Sequence, residues 1–233
     1  MAIPFKRAFG NPDLSNFNGI LTVTHERVRM SNNSDKDMQR LSISLWAGIL
    51  LVSLASSQGK AVSAGPESGS HLPSQCAADY LRAQAETDGA FLAARNVSTT
   101  MDPANMASIL QYPADDVVIV KLKGAEIRTA FERSISLYPQ SNSSFLQVSG
   151  FTIEFSPAGA PDARVLNVTV NGAPLDEKRI YTVAMPGSLG RGGMGYFKIW
   201  DKSKIDHVLA GVTLESVLKG KKYVATSPRW LQR

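Results

Sequence analysis

Cysteine and histidine are both scarce in this chain of 233 residues, which contains one cysteine, Cys76, and three histidines. A single thiol excludes an internal disulfide framework and a zinc cluster built from cysteines. Three histidines, at positions 25, 71 and 207, are too few for a histidine-rich metal centre. The hydrophobic fraction of 43% and the charged fraction of 19% are those of an ordinary globular protein. We therefore expect a folded domain that carries neither a metal ion nor another cofactor.

A hydrophobic run long enough to span a membrane is also missing. Residues 41–55, LSISLWAGILLVSLA, are apolar but fall short of the roughly 20 residues that a transmembrane helix needs. Lys36 and Arg40 provide a basic flank before this run, and Val62 and Ala64 place small residues at −3 and −1 of a cleavage site. This pattern is typical of a secretory signal peptide and predicts export to a periplasm or the extracellular space. An uncleaved membrane anchor or a buried helix is the alternative.

Cleavage after Ala64 would divide the chain into three parts. These are a leader with a signal peptide at 1–64, a linker rich in glycine, serine and proline at 65–73, and one domain at 74–233. The formal net charge is +5, but the predicted domain has no dense basic stripe. Nucleic acid is therefore not expected as a partner, because it is bound through clustered lysine and arginine side chains. Membrane contact is expected only through the signal segment, if that segment stays uncleaved.

The pattern of apolar residues in the domain predicts a mixture of helices and strands. Helices are predicted at 75–87, 102–111, 125–137, 204–209 and 214–218, and strands at 90–94, 116–122, 151–155, 164–170 and 180–185. Asn171 and Gly172 form a two-residue hairpin signal, since both positions of such a turn need a positive φ. The order of elements predicts an α+β fold with a mixed sheet, packed helices and a hairpin-rich second half.

A glycine-rich loop is predicted at 187–195. Its last six residues, GRGGMG, match the dinucleotide pattern G-x-G-x-x-G, which requires a helix to follow. We reject a dinucleotide site because the next residues, YFKIW at 196–200, favour a strand. Two interpretations stay open: a structural turn, or a loop that presents backbone N–H groups to a ligand, with Arg191 as an additional charged donor.

Candidate catalytic groups are few. Ser188 lies in PGSLG, which is not a nucleophile elbow, so an esterase that pairs Ser188 with His207 has little support. His207 itself is expected on the surface. Asp115 and Asp116 are adjacent, which in an extended chain points them to opposite sides and makes a joint metal site unfavourable.

Four segments together have the pattern of a known family. They are VVIVKLKGAEIRTAFERSISLYP from Val117, FLQVSG at 145–150, YTVA at 181–184 and GGMGYF at 192–197. In this order they resemble the C-terminal domain of the 5′-nucleotidase family, over roughly residues 76–200. The resemblance implies that the fold is that of this domain. In the family, a separate N-terminal metallophosphatase domain performs hydrolysis with two metal ions, and this chain has no room for one.

The resemblance also implies a ligand site. In the family the nucleoside base stacks between two aromatic rings, an aspartate of the glycine loop holds the ribose, and an asparagine and an arginine help to bind the substrate. Here Tyr112 corresponds to the first ring, but Ser188 stands at the second and Met194 at the aspartate, while Arg95 is at best a displaced substitute for the arginine. The site implied in this way comprises Arg95, Tyr112, Ser188, Arg191, Gly192, Gly193, Met194 and Gly195. Phe145, which precedes a buried strand, is expected in the core.

Two functions of different classes follow from the sequence. The first is an exported, stand-alone 5′-nucleotidase C-terminal-type domain that belongs to nucleotide catabolism. It would bind a nucleotide-like or nucleoside-like small molecule, work with a separate metallophosphatase chain and perform no hydrolysis alone. The second is a structural or protein-interaction domain with a vestigial ligand cleft.

Overall fold

The computed structural model describes residues 60–61 and 65–233. Apart from residues 60–61, the predicted leader and signal peptide lie outside the described residues. Within the described part, none of the helices combines the length and the apolar character that crossing a membrane requires. The described residues belong to one compact unit.

The described residues form ten strands and four α-helices, and the fourth to eighth strands follow one another without an α-helix between them. The strands are β1 (Lys60–Ala61), β2 (Gly89–Ala93), β3 (Asp116–Lys123), β4 (Leu146–Ser149), β5 (Phe151–Phe155), β6 (Val165–Val170), β7 (Ala173–Pro174), β8 (Ile180–Pro186), β9 (Ile205–Thr213) and β10 (Trp230–Gln232). The α-helices are α1 (Leu72–Ala85), α2 (Gly124–Ile135), α3 (Gly187–Gly190) and α4 (Leu214–Leu218). This mixture confirms the α+β prediction.

The strands are arranged in two five-stranded sheets. The first has the order β1-β10-β5-β6-β7 and the second the order β4-β2-β8-β3-β9. Both sheets are mixed, because β10 runs parallel to β5 and β2 runs parallel to β8, while the other neighbours are antiparallel. The inner strand β3 pairs with β8 over seven residue pairs and with the edge strand β9 on its other side. The β-branched residues of β3 therefore lie in a strand that pairs with a neighbour on each side.

Apolar side chains fill both faces of the second sheet. Along β2, Phe91 belongs to the cluster that lies against α2 and the first sheet, whereas Ala90 and Leu92 belong to the cluster on the face that α1 and α4 cover. Such alternation follows from the period of two in a strand. Phe145 is fully buried in the first cluster, as predicted, and Cys76 is buried in the second.

The predicted strands of the hairpin-rich half are confirmed within one residue at each end, and so is the hairpin. Asn171 and Gly172 have φ values of 51° and 85°, and they connect β6 to β7. These left-handed conformations match the twist of the flanking strands, which is why an asparagine–glycine pair occurs in such turns.

Two segments predicted as helices fold differently. Residues 102–111 contain only a 3₁₀ helix at Met106–Ile109, because the Asp102 carboxylate accepts the N–H of Ala104 and turns the chain before it. Residues 204–209 belong almost entirely to β9, since they pair with β3. The backbone N–H of Met106 in the first segment also donates to the carbonyl of Lys221, so in both places contacts outside the segment override its local helical pattern.

The region around the glycine loop is also more helical than predicted. The loop at 187–195 contains α3, and residues 196–198 of the predicted strand belong to a 3₁₀ helix, Gly193–Lys198. The rings of Tyr196 and Trp200 stack with centroids 4.6 Å apart. A spacing of four residues places them on one side of a helical turn, and a strand would place them further apart.

Helix α1 begins at Leu72, three residues before the predicted start, and His71 occupies its N-cap position. The preceding residues are held against the fold by Gln147 of β4. Its side-chain amide donates hydrogen bonds to the carbonyls of Pro66 and Gly69, at 2.9 and 2.7 Å. Residues 66–69 are therefore fixed beside the edge of the second sheet.

Candidate functional site

A cavity of about 620 Å³ opens beside the start of β3. It lies between the turn that leads into this strand, the first residues of α3, the glycine loop and the 3₁₀ helix Ala94–Asn96. The residues that line it are Arg95, Asn96, Gln111, Tyr112, Pro113, Ala114, Asp115, Ser188, Gly193 and Met194. This volume is within the usual range for small-molecule sites.

Tyr112 contributes an exposed aromatic ring to this cavity. The side chain is 47% exposed, so it is not a core residue. The backbone N–H of Asp115 donates to the carbonyl of Tyr112 at 3.2 Å, which closes a tight turn through Pro113 and Ala114. This turn holds Tyr112 and Asp115 on the same wall of the cavity.

Asp115 and Ser188 form the polar end of the cavity. The Ser188 hydroxyl donates to Asp115 Oδ2 at 2.5 Å, and the Ser188 backbone N–H lies 3.3 and 3.4 Å from the two carboxylate oxygens. The carboxylate side chain is only 11% exposed. Burial raises the pKa of Asp115 above its ordinary value, although the hydrogen bonds from Ser188 oppose this effect.

The neighbouring carboxylate, Asp116, is held by an arginine. Arg191 donates from both terminal nitrogens to Asp116, at 3.2 and 3.0 Å, and the pair lies outside the cavity lining. This bidentate contact lowers the pKa of Asp116 and raises that of Arg191. The expectation that Asp115 and Asp116 diverge is therefore wrong at this end of the strand, because both reach residues of the segment that follows β8.

Met194 is presented to the cavity by an unusual backbone. Gly192, Met194 and Gly195 all have left-handed conformations, with φ of 87°, 55° and 79°. The carbonyl of Met194 accepts hydrogen bonds from Arg133 Nη2 at 2.8 Å and from the Ser144 hydroxyl at 2.9 Å. A Cβ at Gly195 would overlap the Arg133 guanidinium. The glycines thus allow the tight path of the loop, and the two hydrogen bonds fix it.

The structure brings together five of the eight residues that the resemblance implied. Arg95, Tyr112, Ser188, Gly193 and Met194 line the cavity. The exposed guanidinium of Arg95 has no ion pair with the described residues and can face a ligand.

The other three implied residues do not line the cavity. Arg191 is paired with Asp116, and Gly192 and Gly195 shape the loop backbone. Sequence reasoning missed the polar lining residues Asp115 and Gln111. The signal for Asp115 was its position three residues after Tyr112, the separation that closes a β-turn.

The described residues contain no cluster of three or more histidine, cysteine, aspartate or glutamate side chains that could hold a metal ion. They also contain no serine–histidine pair at the cavity. Ser188 is hydrogen-bonded to Asp115, and His207 lies on β9 with its Nδ1 3.0 Å from Asp206 Oδ2. His207 is exposed, as the sequence predicted.

Comparison with known proteins places this fold in a family. The chain is 32% identical to human 5′-nucleotidase over 106 residues, which are 42% of this chain and 18% of the human protein. It is 30% identical to a snake venom 5′-nucleotidase of Naja atra over 89 residues, 35% of this chain and 17% of that protein. The matched segment therefore spans less than a fifth of these relatives.

A solved structure of a 5′-nucleotidase has a similar fold. A 5′-nucleotidase precursor from Thermus thermophilus superposes with a TM-score of 0.62 at 22% identity, over 72% of this chain and 36% of that one. At this identity the likeness shows the fold alone. The family model for the 5′-nucleotidase C-terminal domain matches residues 59–201, more than half of the chain. The chain therefore belongs to the 5′-nucleotidase C-terminal domain family.

Proposed function

We propose that this domain binds a nucleoside or nucleotide in the cavity beside Tyr112 and does not hydrolyse it alone. The observation that carries the proposal is the exposed Tyr112 ring on the wall of a cavity of about 620 Å³. Stacking of a base on an aromatic ring contributes about 1–3 kcal/mol. Met194 adds a polarisable apolar side chain to the same lining.

The cationic residue at the cavity, Arg95, suits the phosphate of such a ligand. Arg95 presents an exposed guanidinium that is not engaged in an ion pair with the described residues. A guanidinium binds phosphate through paired N–H donors. A nucleotide would thus meet an aromatic surface for its base and a cation for its phosphate.

The proposal also includes a catalytic partner chain and export of the protein. The relatives are named for the release of phosphate from 5′-nucleotides, and the matched segment is a minor part of each. We propose that a separate metallophosphatase chain supplies the cleaving centre. Export is supported by the signal pattern at 36–64 and by the venom setting of one relative.

A calorimetric titration of the purified chain with 5′-mononucleotides, AMP and GMP among them, tests binding. We expect saturable heat with one site per chain, because the cavity is preformed. Absence of heat with every nucleotide would favour the other class of function, an interaction domain whose cleft is vestigial.

Phosphate release is measured on the same samples with added Mn²⁺ or Zn²⁺. We expect none above the buffer rate, since the described residues hold no cluster of metal ligands. Release that copurifies with this chain and stops when a chelator is added would contradict the proposal.

A further inference from the structure

The polar end of the cavity offers hydrogen-bond acceptors and no free donor. The hydroxyl hydrogen of Ser188 is directed to Asp115 Oδ2 at 2.5 Å, which leaves only lone pairs on Oγ for a ligand. The Ser188 N–H is shared between the two carboxylate oxygens at 3.3 and 3.4 Å. Asp115 and Ser188 therefore select a ligand group that donates.

The carboxylate of Asp115 has capacity left for such a group. An ionised carboxylate accepts about four hydrogen bonds, and here two donors of one residue are its hydrogen-bonding partners. Arg191 Nη2 lies 3.9 Å from Asp115 Oδ1, too far for a hydrogen bond, and is bonded to Asp116 instead. The free acceptor sites belong to a side chain that lines the cavity and is 11% exposed.

The position of this carboxylate relative to Tyr112 suits the edge of a stacked ring. Tyr112 and Asp115 are the first and last residues of one tight turn, whose ends lie within about 7 Å of each other. Both side chains line the same cavity, which leaves the edge of a ring stacked on Tyr112 available to the Asp115 carboxylate. The other charged residue of the lining, Arg95, is a donor and suits an anionic or carbonyl group of the ligand.

From this geometry we infer that Asp115, oriented by Ser188, makes the cavity selective for guanine over adenine. The inference rests on the proposed function. Guanine carries two adjacent N–H donors, N1–H and the 2-amino group, which match the two oxygens of a carboxylate. Adenine carries one amino donor beside the N1 acceptor, whose lone pair would face a carboxylate oxygen. Hypoxanthine, with N1–H and no amino group, is intermediate.

Calorimetric titration of the full chain with GMP, IMP and AMP tests this selectivity. A good bidentate contact discriminates between bases by about tenfold or more, so GMP should bind about tenfold more tightly than AMP, with IMP between them. The N1-methyl derivative of GMP lacks one of the two donors and should bind at least about tenfold more weakly than GMP. This comparison needs no variant and does not depend on the folding of one.

The variant Asp115→Asn tests whether the Asp115 carboxylate causes the preference for GMP over AMP. Its amide oxygen can still accept from Ser188, but its amide nitrogen donates, so the preference for GMP over AMP should disappear or reverse. Asp162→Asn is the matched control, because Asp162 is an exposed carboxylate that lies outside the lining. It should keep the wild-type ratio.

The outcomes separate the two proposals. Binding of GMP and AMP with equal affinity, or an unchanged ratio in Asp115→Asn, would overturn the selectivity and leave the proposed function intact. Failure of all three nucleotides to bind would overturn the proposed function, and the selectivity with it.

Discussion

Replacement of Trp230 by alanine is expected to lower the free energy of unfolding by about 3–5 kcal/mol, the range for removal of a buried tryptophan. The side chain is fully buried, and its ring packs against those of Phe131, Phe145 and Phe155 at centroid distances of 5.6, 4.7 and 6.1 Å. Its Nε1–H donates to the carbonyl of Leu146 at 2.9 Å. The substitution leaves both a cavity and an unpaired buried acceptor.

Chemical denaturation of the wild type and the variant measures this loss. Leu166→Ala is a suitable control, because Leu166 is a large apolar residue that is 52% exposed on β6, and its replacement should change stability by less than about 0.5 kcal/mol. A loss below about 1 kcal/mol in Trp230→Ala would mean that β10 does not close the core. The family match ends at residue 201, so this experiment also tests whether the later segment belongs to the domain.

Replacement of Tyr112 by alanine is expected to weaken nucleotide binding about 5- to 150-fold, which corresponds to the loss of one stacking interaction of about 1–3 kcal/mol. Stability should change little, because the side chain is 47% exposed. Tyr112→Phe retains the ring and should bind nearly as well as the wild type. The measurement is a calorimetric titration of each variant with the nucleotide that binds most tightly.

A second exposed aromatic residue provides the control for Tyr112. Phe197 is 64% exposed and belongs to the 3₁₀ helix Gly193–Lys198, but it does not line the cavity. Phe197→Ala should bind with the wild-type affinity. Equal weakening in both variants, or none in Tyr112→Ala, would contradict the placement of the ligand on Tyr112.

Strands β3, β5 and β6 were predictable from their apolar patterns, whereas β4 and β9 were not predicted as strands. The segment 116–122 is a nearly continuous apolar run rich in β-branched residues, and β5 and β6 alternate apolar with polar residues. Each of these patterns predicts a strand. Residues 204–209 have no such pattern. They form part of β9 because β3 offers an unpaired edge there, which is a tertiary fact that the local sequence does not contain.

The candidate site was predictable where the resemblance supplied it and not elsewhere. Tyr112 and Ser188 were implied by alignment with the family, and the structure places both at the cavity. Asp115 was missed because the argument from adjacent carboxylates treats the chain as extended, whereas a tight turn precedes β3. Arg191 was implied as a ligand group because its sequence neighbours are glycines, but its pairing with Asp116 is visible only in three dimensions.

A crystal structure of this chain grown with GMP and Mn²⁺ would test most directly whether the domain binds a nucleotide without cutting it. The account predicts an intact nucleotide whose base lies on Tyr112 at van der Waals distance, roughly 3.5–4.0 Å, with its donor edge at Asp115. A nucleotide bound elsewhere on the domain would contradict it. So would a cleaved product beside a metal centre built from side chains of this chain.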